Sequence, residues 1–220
     1  MKKFLPLILI GVGILIVVGV VFVLVNRSKT GNTTDNSEDM NVPELPQSQW
    51  PAVSLTPTED PNVPNSLGHY LDFKVEKINV PNAKTMDYEL VYSTTNGGQQ
   101  GVPGTVQLSG DIERKLLMGS ASSGKYRFDA GVDHGTMTIR FRDGNGKLLG
   151  KLSTDFHLQL GDTKLTSQDG KFTYTLEKVA SGVYFVTMQT FAQPSSSVVW
   201  QNGYGVFASD GLPHKGSVSQ

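Results

Sequence analysis

Apolar and polar residues alternate along many short segments of this chain, and this pattern constrains the fold more than any other feature. In one such segment, Leu71, Phe73 and Val75 are separated by charged residues. A period of two residues is typical of a β-strand with one buried face. The alternating segments lie at 71–76, 86–93, 125–130, 136–142 and 171–176.

Turn signals separate these segments and predict the fold class. Asn96-Gly97-Gly98, Asp143-Gly144-Asn145-Gly146 and Asp169-Gly170 are combinations that favour tight turns. Outside the N-terminus, no segment has a helical period. We therefore predict a mainly β fold in which residues 67–220 form an antiparallel two-sheet β-sandwich, with immunoglobulin-like and jelly-roll topologies both open.

One hairpin can be predicted with its register. The turn at 143–146 joins two strands, and placing Arg142 opposite Lys147 gives both strands one apolar face. The predicted inner face has Met137, Ile139 and Phe141 against Leu148, Gly150 and Leu152. A slip by one residue would bury charged side chains, so the pattern favours this pairing.

The N-terminus contains an uncharged apolar run from Phe4 to Val25, which is 22 residues long. As a helix the run would be about 33 Å long, enough to cross the hydrocarbon core of a bilayer. It is longer than the apolar core of a cleaved signal peptide, and no A-x-A site follows it. We predict a single transmembrane signal anchor over residues 1–26, with the lipid bilayer as partner. Lys2 and Lys3 favour a cytoplasmic N-terminus.

Residues 27–66 differ in composition from the rest of the chain. Between Thr30 and Ser66 there are six acidic residues, six prolines and no Lys or Arg. Such a segment is typical of an extended, self-repelling spacer. We predict a disordered tether over 27–66 and an extracytoplasmic domain over 67–220. Trp50, Val53 and Leu55 leave two alternatives open: exposed linker residues, or an extra strand on the domain.

The charge balance of the domain argues against a nucleic-acid partner. Residues 67–220 contain 15 Lys and Arg and 14 Asp and Glu, whereas a nucleic-acid surface needs a basic excess. The chain has no cysteine, so its core must hold without disulfides.

Three short motifs resemble known sites but lack the required context. Residues 119–125 match the first seven positions of a P-loop, but Tyr126 replaces the magnesium-binding Ser or Thr and a strand follows instead of a helix. Ser122 and Lys125 have the S-x-x-K spacing, which also needs a helix. The turn at 143–147 has a lysine where a calcium loop needs an oxygen ligand. We predict a hairpin loop for 119–125, a hairpin turn for 143–147 and no cofactor.

The predicted hairpin register brings together one group of possible metal ligands. Extended along both strands, it places His134 opposite Asp155, with His157 two residues further on the same face. Two imidazoles and a carboxylate can bind a divalent metal. The hypothesis is therefore a metal site of His134, Asp155 and His157, the alternative being three solvated surface residues.

The same outer face contains four basic residues, which are Arg140, Arg142, Lys147 and Lys151. Like charges on facing strand positions destabilise a sheet, so an opposite charge should lie nearby. One interpretation is neutralisation by Asp87 and Glu89 of a neighbouring strand. The functional alternative is an anionic partner, such as a cell-envelope polymer. Separately, Trp200, Tyr204 and Tyr184 are candidates for a sugar-stacking platform, or for core residues.

Several stretches of the chain resemble a group of known sequences. The stretches are 88–92 (YELVY), 101–105 (GVPGT) and 141–143 (FRD) through 154–159 (TDFHLQ). Over about 71–192 the chain resembles uncharacterised membrane-anchored proteins of ultrasmall candidate-phylum bacteria. No activity is attached to that group, so the resemblance implies no site residues.

Two functions follow as hypotheses. The first is a membrane-anchored extracytoplasmic β-sandwich for binding or envelope architecture, with an envelope polymer or protein as partner and no catalytic residues. The alternative is a carbohydrate-binding or metal-dependent jelly-roll enzyme that acts on envelope glycans. The acidic residues of the domain mostly alternate singly along strands, as solvated positions do, which favours the first.

Overall fold

The computed structural model describes residues 44–219, and nearly all regular structure in this range is β-strand. One short 3-10 helix, Gln47–Gln49, precedes the strands. The predicted class, mainly β with antiparallel sheets, is confirmed. In chain order the strands are β1 (Ala52–Thr58), β2 (Tyr70–Glu76), β3 (Thr85–Ser93), β4 (Gln99–Gln107), β5 (Ile112–Leu117), β6 (Gly119–Ser122), β7 (Lys125–Phe128), β8 (His134–Arg142), β9 (Leu148–Leu160), β10 (Lys164–Thr166), β11 (Thr173–Leu176), β12 (Tyr184–Gln189), β13 (Val199–Gln201), β14 (Tyr204–Ala208) and β15 (Gly216–Ser219).

The strands form one large sheet, two small sheets and a separate hairpin. The large sheet has seven strands in the order β13-β14-β12-β9-β8-β3-β4. The first small sheet has the order β1-β2-β5, and the second has the order β10-β11-β15. Among the described strands, β6 and β7 pair only with each other.

The main core lies between the first small sheet and one face of the large sheet. Leu55 and Phe73 from the first small sheet are fully buried, as are Phe141 and Phe156 from the large sheet. Their strands alternate buried and partly exposed residues, so each contributes one apolar face. Burial of these side chains supplies the main driving force for association of the two sheets.

A second core lies on the opposite face of the large sheet. In β12, Phe185 packs in this core while its neighbour Val186 packs in the main core. The second small sheet contributes Leu165 and Tyr174, and Phe172, the residue before β11, packs with them. Both faces of β12 are therefore buried, which explains its nearly continuous apolar sequence.

Residues 44–66, which fall within the predicted tether, belong to the folded unit. Strand β1 pairs with β2 along its whole length, and Val53 and Leu55 are fully buried. The Trp50 ring packs edge-to-face against Phe191, and Trp50 Nε1 donates to the carbonyl of Leu45 at 2.7 Å. Of the two alternatives for Trp50, Val53 and Leu55, the extra strand is correct. The domain begins before the predicted boundary at residue 67.

The β8–β9 hairpin has the predicted faces but a different register. Asp143 N–H donates to the carbonyl of Lys147, so Arg142 lies opposite Leu148 and not Lys147. A bulge between Phe141 and Arg142 then places Phe141 opposite Gly150. The turn and the bulge each displace the pairing by one residue. Because the total is even, the side chains beyond the bulge keep their predicted faces, whereas Leu148 pairs with Arg142 and so leaves the predicted inner face.

Strand β4 forms one end of the large sheet and has a proline at its centre. Pro103 lies opposite Glu89 of β3, and no other strand between residues 44 and 219 pairs with the far side of β4. Proline has no backbone N–H, so within sheets it is confined mainly to such edge positions.

The predicted transmembrane helix at 4–25 and the first part of the predicted tether lie outside the described residues. Between residues 44 and 219 there is no helix with the length and apolar character that a bilayer crossing requires.

Candidate functional site

The outer face of the large sheet, opposite the main core, has an apolar region and a polar region. The apolar region, on β12 and β14, lies under the second small sheet. On β3, β8 and β9, the side chains that point away from the main core are partly or fully exposed. We call this second region the polar face. Its members include Asp87, Glu89, Thr136, Thr138, Arg140, Ser153, Asp155 and His157.

Hydrogen bonds between neighbouring strands connect the short side chains of the polar face. Thr138 Oγ1 and Ser153 Oγ are 2.6 Å apart. One pair further along, Thr136 Oγ1 donates to Asp155 Oδ1 at 2.6 Å. These contacts order the hydroxyl and carboxylate groups before any ligand arrives, and such preorganisation lowers the entropic cost of binding.

The predicted basic cluster lies at one end of the polar face, and the predicted pairing with Asp87 and Glu89 of β3 is confirmed for two of its members, Arg142 and Arg140. Arg142 Nε donates to Asp87 Oδ2 at 2.7 Å, and Arg140 Nη1 lies 3.6 Å from Glu89 Oε2. Lys151 lies opposite Arg140, while Lys147 is exposed in the turn. Four basic residues thus share this end with two carboxylates.

The three predicted metal ligands lie on one face but are not gathered at one centre. The register places His134 opposite His157, whereas Asp155 lies opposite Thr136, so the predicted pairing of His134 with Asp155 is wrong. Among residues 44–219, no group of three or more His, Asp or Glu side chains is arranged to hold a metal ion. Metal binding by all three residues stays an untested prediction.

Side chains of β9 join the polar face to the second small sheet. Gln159 accepts a hydrogen bond from Thr166 N–H at 2.8 Å through Oε1 and donates to the carbonyl of Lys164 at 3.1 Å through Nε2. His157 Nδ1 lies 2.8 Å from the carbonyl oxygen of Thr166, so Nδ1 must carry the proton. The two side chains therefore form hydrogen bonds with the backbone N–H and carbonyl groups at the outer edge of β10, as a neighbouring strand would.

A shallow cleft follows this junction. One part is lined by His134, His157, Thr166, Ser167 and Gln168. Next to it, a smaller part is lined by Asp155, Asp169, Gln189 and Tyr204 together with Ser167 and Gln168. Sequence reasoning missed the segment 166–169, because its position beside β9 depends on the unpredicted second core.

Asp169 and Tyr204 form a hydrogen-bonded pair in the cleft. Tyr204 Oη donates to Asp169 Oδ2 at 2.6 Å, and Ser167 Oγ donates to Asp169 Oδ1 at 2.6 Å. Burial by itself would raise the pKa of Asp169, but the hydrogen bonds from Ser167, Tyr204 and Lys171 N–H hold it below its ordinary value. Burial and the Asp169 carboxylate raise the pKa of Tyr204 to about 12. Asp169 is therefore ionised and Tyr204 neutral at neutral pH.

The three aromatic residues considered for sugar stacking do not share a surface. Trp200 lies opposite Gly205 and Tyr204 opposite Gln201, so the two rings project from opposite faces of the sheet. The Tyr204 ring stacks on Phe172 with ring centres 5.3 Å apart. Tyr184 is half-buried and packs against the main core. An aromatic platform is therefore not formed by Trp200, Tyr204 and Tyr184.

The segments that resemble nucleotide and calcium sites have the predicted hairpin structures. Residues 119–125 lie in the β6–β7 hairpin, where Ala121 pairs with Tyr126. In the 143–147 turn, Asp143 Oδ1 accepts from the backbone N–H groups of Asn145 and Lys147. This carboxylate stabilises the turn itself, which is a common role for aspartate at such positions.

The chain matches no protein-family model, no curated protein and no solved structure. No function can therefore be transferred from a relative.

Proposed function

We propose that this chain is a single-pass membrane protein whose C-terminal β-sandwich, of immunoglobulin-like or jelly-roll type, lies outside the cytoplasmic membrane and binds a component of the cell envelope. The apolar run Phe4–Val25 supports an anchor that crosses the bilayer, and Lys2 and Lys3 support a cytoplasmic N-terminus. The acidic, proline-rich residues that follow support a spacer between the membrane and the domain.

The single observation that carries the binding role is the polar face. The second small sheet covers one side of the large sheet's outer face and leaves β3, β8 and β9 in contact with solvent. The exposed side presents hydroxyl, carboxylate and imidazole groups in regular rows. Such a surface complements a ligand rich in hydroxyl or amide groups, as an envelope glycan is.

The charges on this face favour a neutral polymer over a strongly anionic one. Asp87 and Glu89 interact with Arg142 and Arg140, so the positive charge of two of the four basic residues is offset locally. An anionic polymer would have to compete with these two carboxylates. The partner we propose is therefore a mainly uncharged, hydroxyl-rich polymer.

The test is co-sedimentation of the detergent-solubilised full-length protein with insoluble envelope material from its own cells. Ser153 is exposed at the centre of the polar face, so Ser153→Arg should obstruct the surface and abolish sedimentation. The matched control is Thr175→Arg, an exposed strand hydroxyl on the second small sheet. Equal sedimentation of wild type and Ser153→Arg, or equal loss in both variants, would refute binding through this face.

The proposed topology has its own test. Protease added to intact cells should degrade residues beyond the anchor, while a carbonate wash should leave the protein in the membrane fraction. Protection of the C-terminal domain, or a mature N-terminus located after Val25, would refute it. The alternative of a carbohydrate-binding or metal-dependent jelly-roll enzyme stays an untested prediction.

A further inference from the structure

His134 and His157 occupy directly facing positions on neighbouring strands. Strand β8 begins at His134, and the register pairs it with His157 of β9. Both side chains project from the outer face, and both line the same open cleft. Facing residues of an antiparallel pair have Cβ atoms about 4.5–5.5 Å apart. The two imidazole rings therefore extend from facing positions of β8 and β9 into the same cleft.

The hydrogen bonds of the two rings fix the same tautomer in both. His134 Nδ1 is bonded to Asp133 Oδ1, and His157 Nδ1 lies 2.8 Å from the carbonyl oxygen of Thr166 and 3.2 Å from Thr166 Oγ1, which can accept from the same N–H. A carboxylate and a carbonyl only accept hydrogen bonds, so Nδ1 carries the proton in each neutral ring. The lone pair of each ring is then on Nε2. Metal-binding histidines are commonly held this way, with the other ring nitrogen bonded to a carboxylate or carbonyl.

We infer that His134 and His157 form a two-histidine site for a divalent transition metal such as Zn²⁺, Ni²⁺ or Cu²⁺. The two Nε2 atoms are the protein ligands, and water fills the remaining positions. Imidazole nitrogen suits these ions, whereas Ca²⁺ and Mg²⁺ prefer oxygen ligands. The site differs from the three-residue site predicted from the sequence, because Asp155 lies one pair further along and its Oδ1 accepts from Thr136.

The inference does not depend on the proposed envelope binding. A metal held by both rings would join β8 to β9 at the end of the cleft, close to the contact between β9 and β10. It would also stabilise the folded state, because the facing positions exist only when the strands are paired.

Calorimetric titration of the full-length protein in detergent with ZnCl₂, and separately with NiCl₂, tests the site. His134→Asn and His157→Asn are the informative variants, since asparagine keeps a donor near the Nδ1 position and lacks Nε2. Each should weaken Zn²⁺ binding by more than the roughly 10- to 100-fold that loss of an outer-shell partner costs. The double variant should show no binding at the same concentrations, and CaCl₂ or MgCl₂ should give no heat with any form.

His214→Gln is the matched control. His214 lies elsewhere and contacts Asp210 through Nε2, a position at which glutamine keeps a donor. This variant should bind Zn²⁺ as wild type does. Unchanged binding in the double variant, or no binding by wild type, would overturn the site. Urea unfolding of each variant without metal shows whether it is folded, and the thermal shift caused by Zn²⁺ should disappear only in the His134 and His157 variants.

Two further measurements distinguish a site with two protein ligands from a site with three. Asp155→Asn should bind Zn²⁺ as wild type does, and a loss equal to that of the histidine variants would overturn the two-ligand site. Imidazole ¹H–¹⁵N spectra should show Nε2 shifted by metal, with Nδ1 protonated in both rings. Coordination through Nδ1 would contradict the tautomers on which the inference rests.

Discussion

At the scale of single residues, Asp87 is a carboxylate of the polar face that two neighbouring strands contact. It accepts hydrogen bonds from Arg142 Nε at 2.7 Å and from Thr105 Oγ1 at 2.8 Å. The Arg142 and Asp87 side chains are 27% and 28% exposed, so water screens their interaction only in part. Glu89 is more exposed, and its contact with Arg140 is longer, at 3.6 Å.

We therefore expect Asp87→Ala to destabilise the domain more than Glu89→Ala. Loss of a hydrogen bond to a charged group should cost about 1.5 kcal/mol at Asp87. The more exposed pair at Glu89 should cost about 0.5 kcal/mol. Urea unfolding at neutral pH and moderate salt measures both. Equal losses would show that the two carboxylates have the same role.

Asp169 and Tyr204 should make the stability of the domain depend on pH at both extremes. Because the folded-state pKa of Asp169 is lowered, its contribution is complete above its unfolded pKa and is lost as pH falls through the folded value. Because the folded-state pKa of Tyr204 is raised to about 12, its contribution is complete below its unfolded pKa and is lost as pH rises toward 12.

Unfolding free energies measured across pH should reveal both effects. The difference between wild type and Asp169→Asn should shrink below about pH 5. The difference between wild type and Tyr204→Phe should shrink above about pH 10. Tyr126→Phe is the control, since Tyr126 is 44% exposed. Differences that stay constant with pH would contradict the ionised pair.

At the scale of elements, strands with clear alternation can be predicted from the sequence, whereas strands without it cannot. Leu71, Phe73 and Val75 lie in β2, where their side chains are fully buried as expected. Strand β1 is ambiguous in the sequence because Pro51 and Pro57 resemble tether residues. Pro57 is compatible with a strand there, since β1 is at the edge of its sheet.

The sequence predicts the face on which the candidate-site residues lie but not the residues that they contact. Alternation alone places His134, His157 and the basic cluster on the correct face. Their partners depend on the bulge at Phe141 and Arg142, which alternation does not reveal. The contacts of His157 and Gln159 with β10 depend on the second small sheet, whose strands are only three or four residues long.

Leu55→Ala tests whether β1 is part of the domain. Leu55 is fully buried in the main core, so the substitution should cost about 2–5 kcal/mol of unfolding free energy. Ser48→Ala, at an exposed position of the same N-terminal segment, should change it by less than about 0.5 kcal/mol. Denaturant unfolding of the two variants compares them directly. A negligible effect of Leu55→Ala would assign the segment to the tether.

At the scale of the described residues as a whole, two cores of unequal size share the large sheet. The main core joins it to the first small sheet, and the second core joins it to three short strands. Phe185 and Val186, adjacent in β12, belong to different cores. Strands β12 and β14 therefore connect the two cores, while β10, β11 and β15 depend on the smaller one.

Phe172→Ala should loosen the second small sheet before the rest. Phe172 is fully buried in the second core, so its truncation should raise the exchange rates of backbone amides in β11 and β15. Amides of β2 and β3 should be affected less. Phe73→Ala, in the main core, is the matched variant and should accelerate exchange throughout. Uniform acceleration by Phe172→Ala would show that both cores unfold as one unit.

Pro103 has a consequence for proteins crowded on one membrane. Copies held on the same bilayer by the proposed anchors would meet at high local concentration, with their outermost strands free to pair across molecules. A strand added alongside β4 would find no donor at Pro103, which interrupts the ladder at its midpoint. This single imino acid should thus help neighbouring copies to stay separate and keep their binding surfaces available.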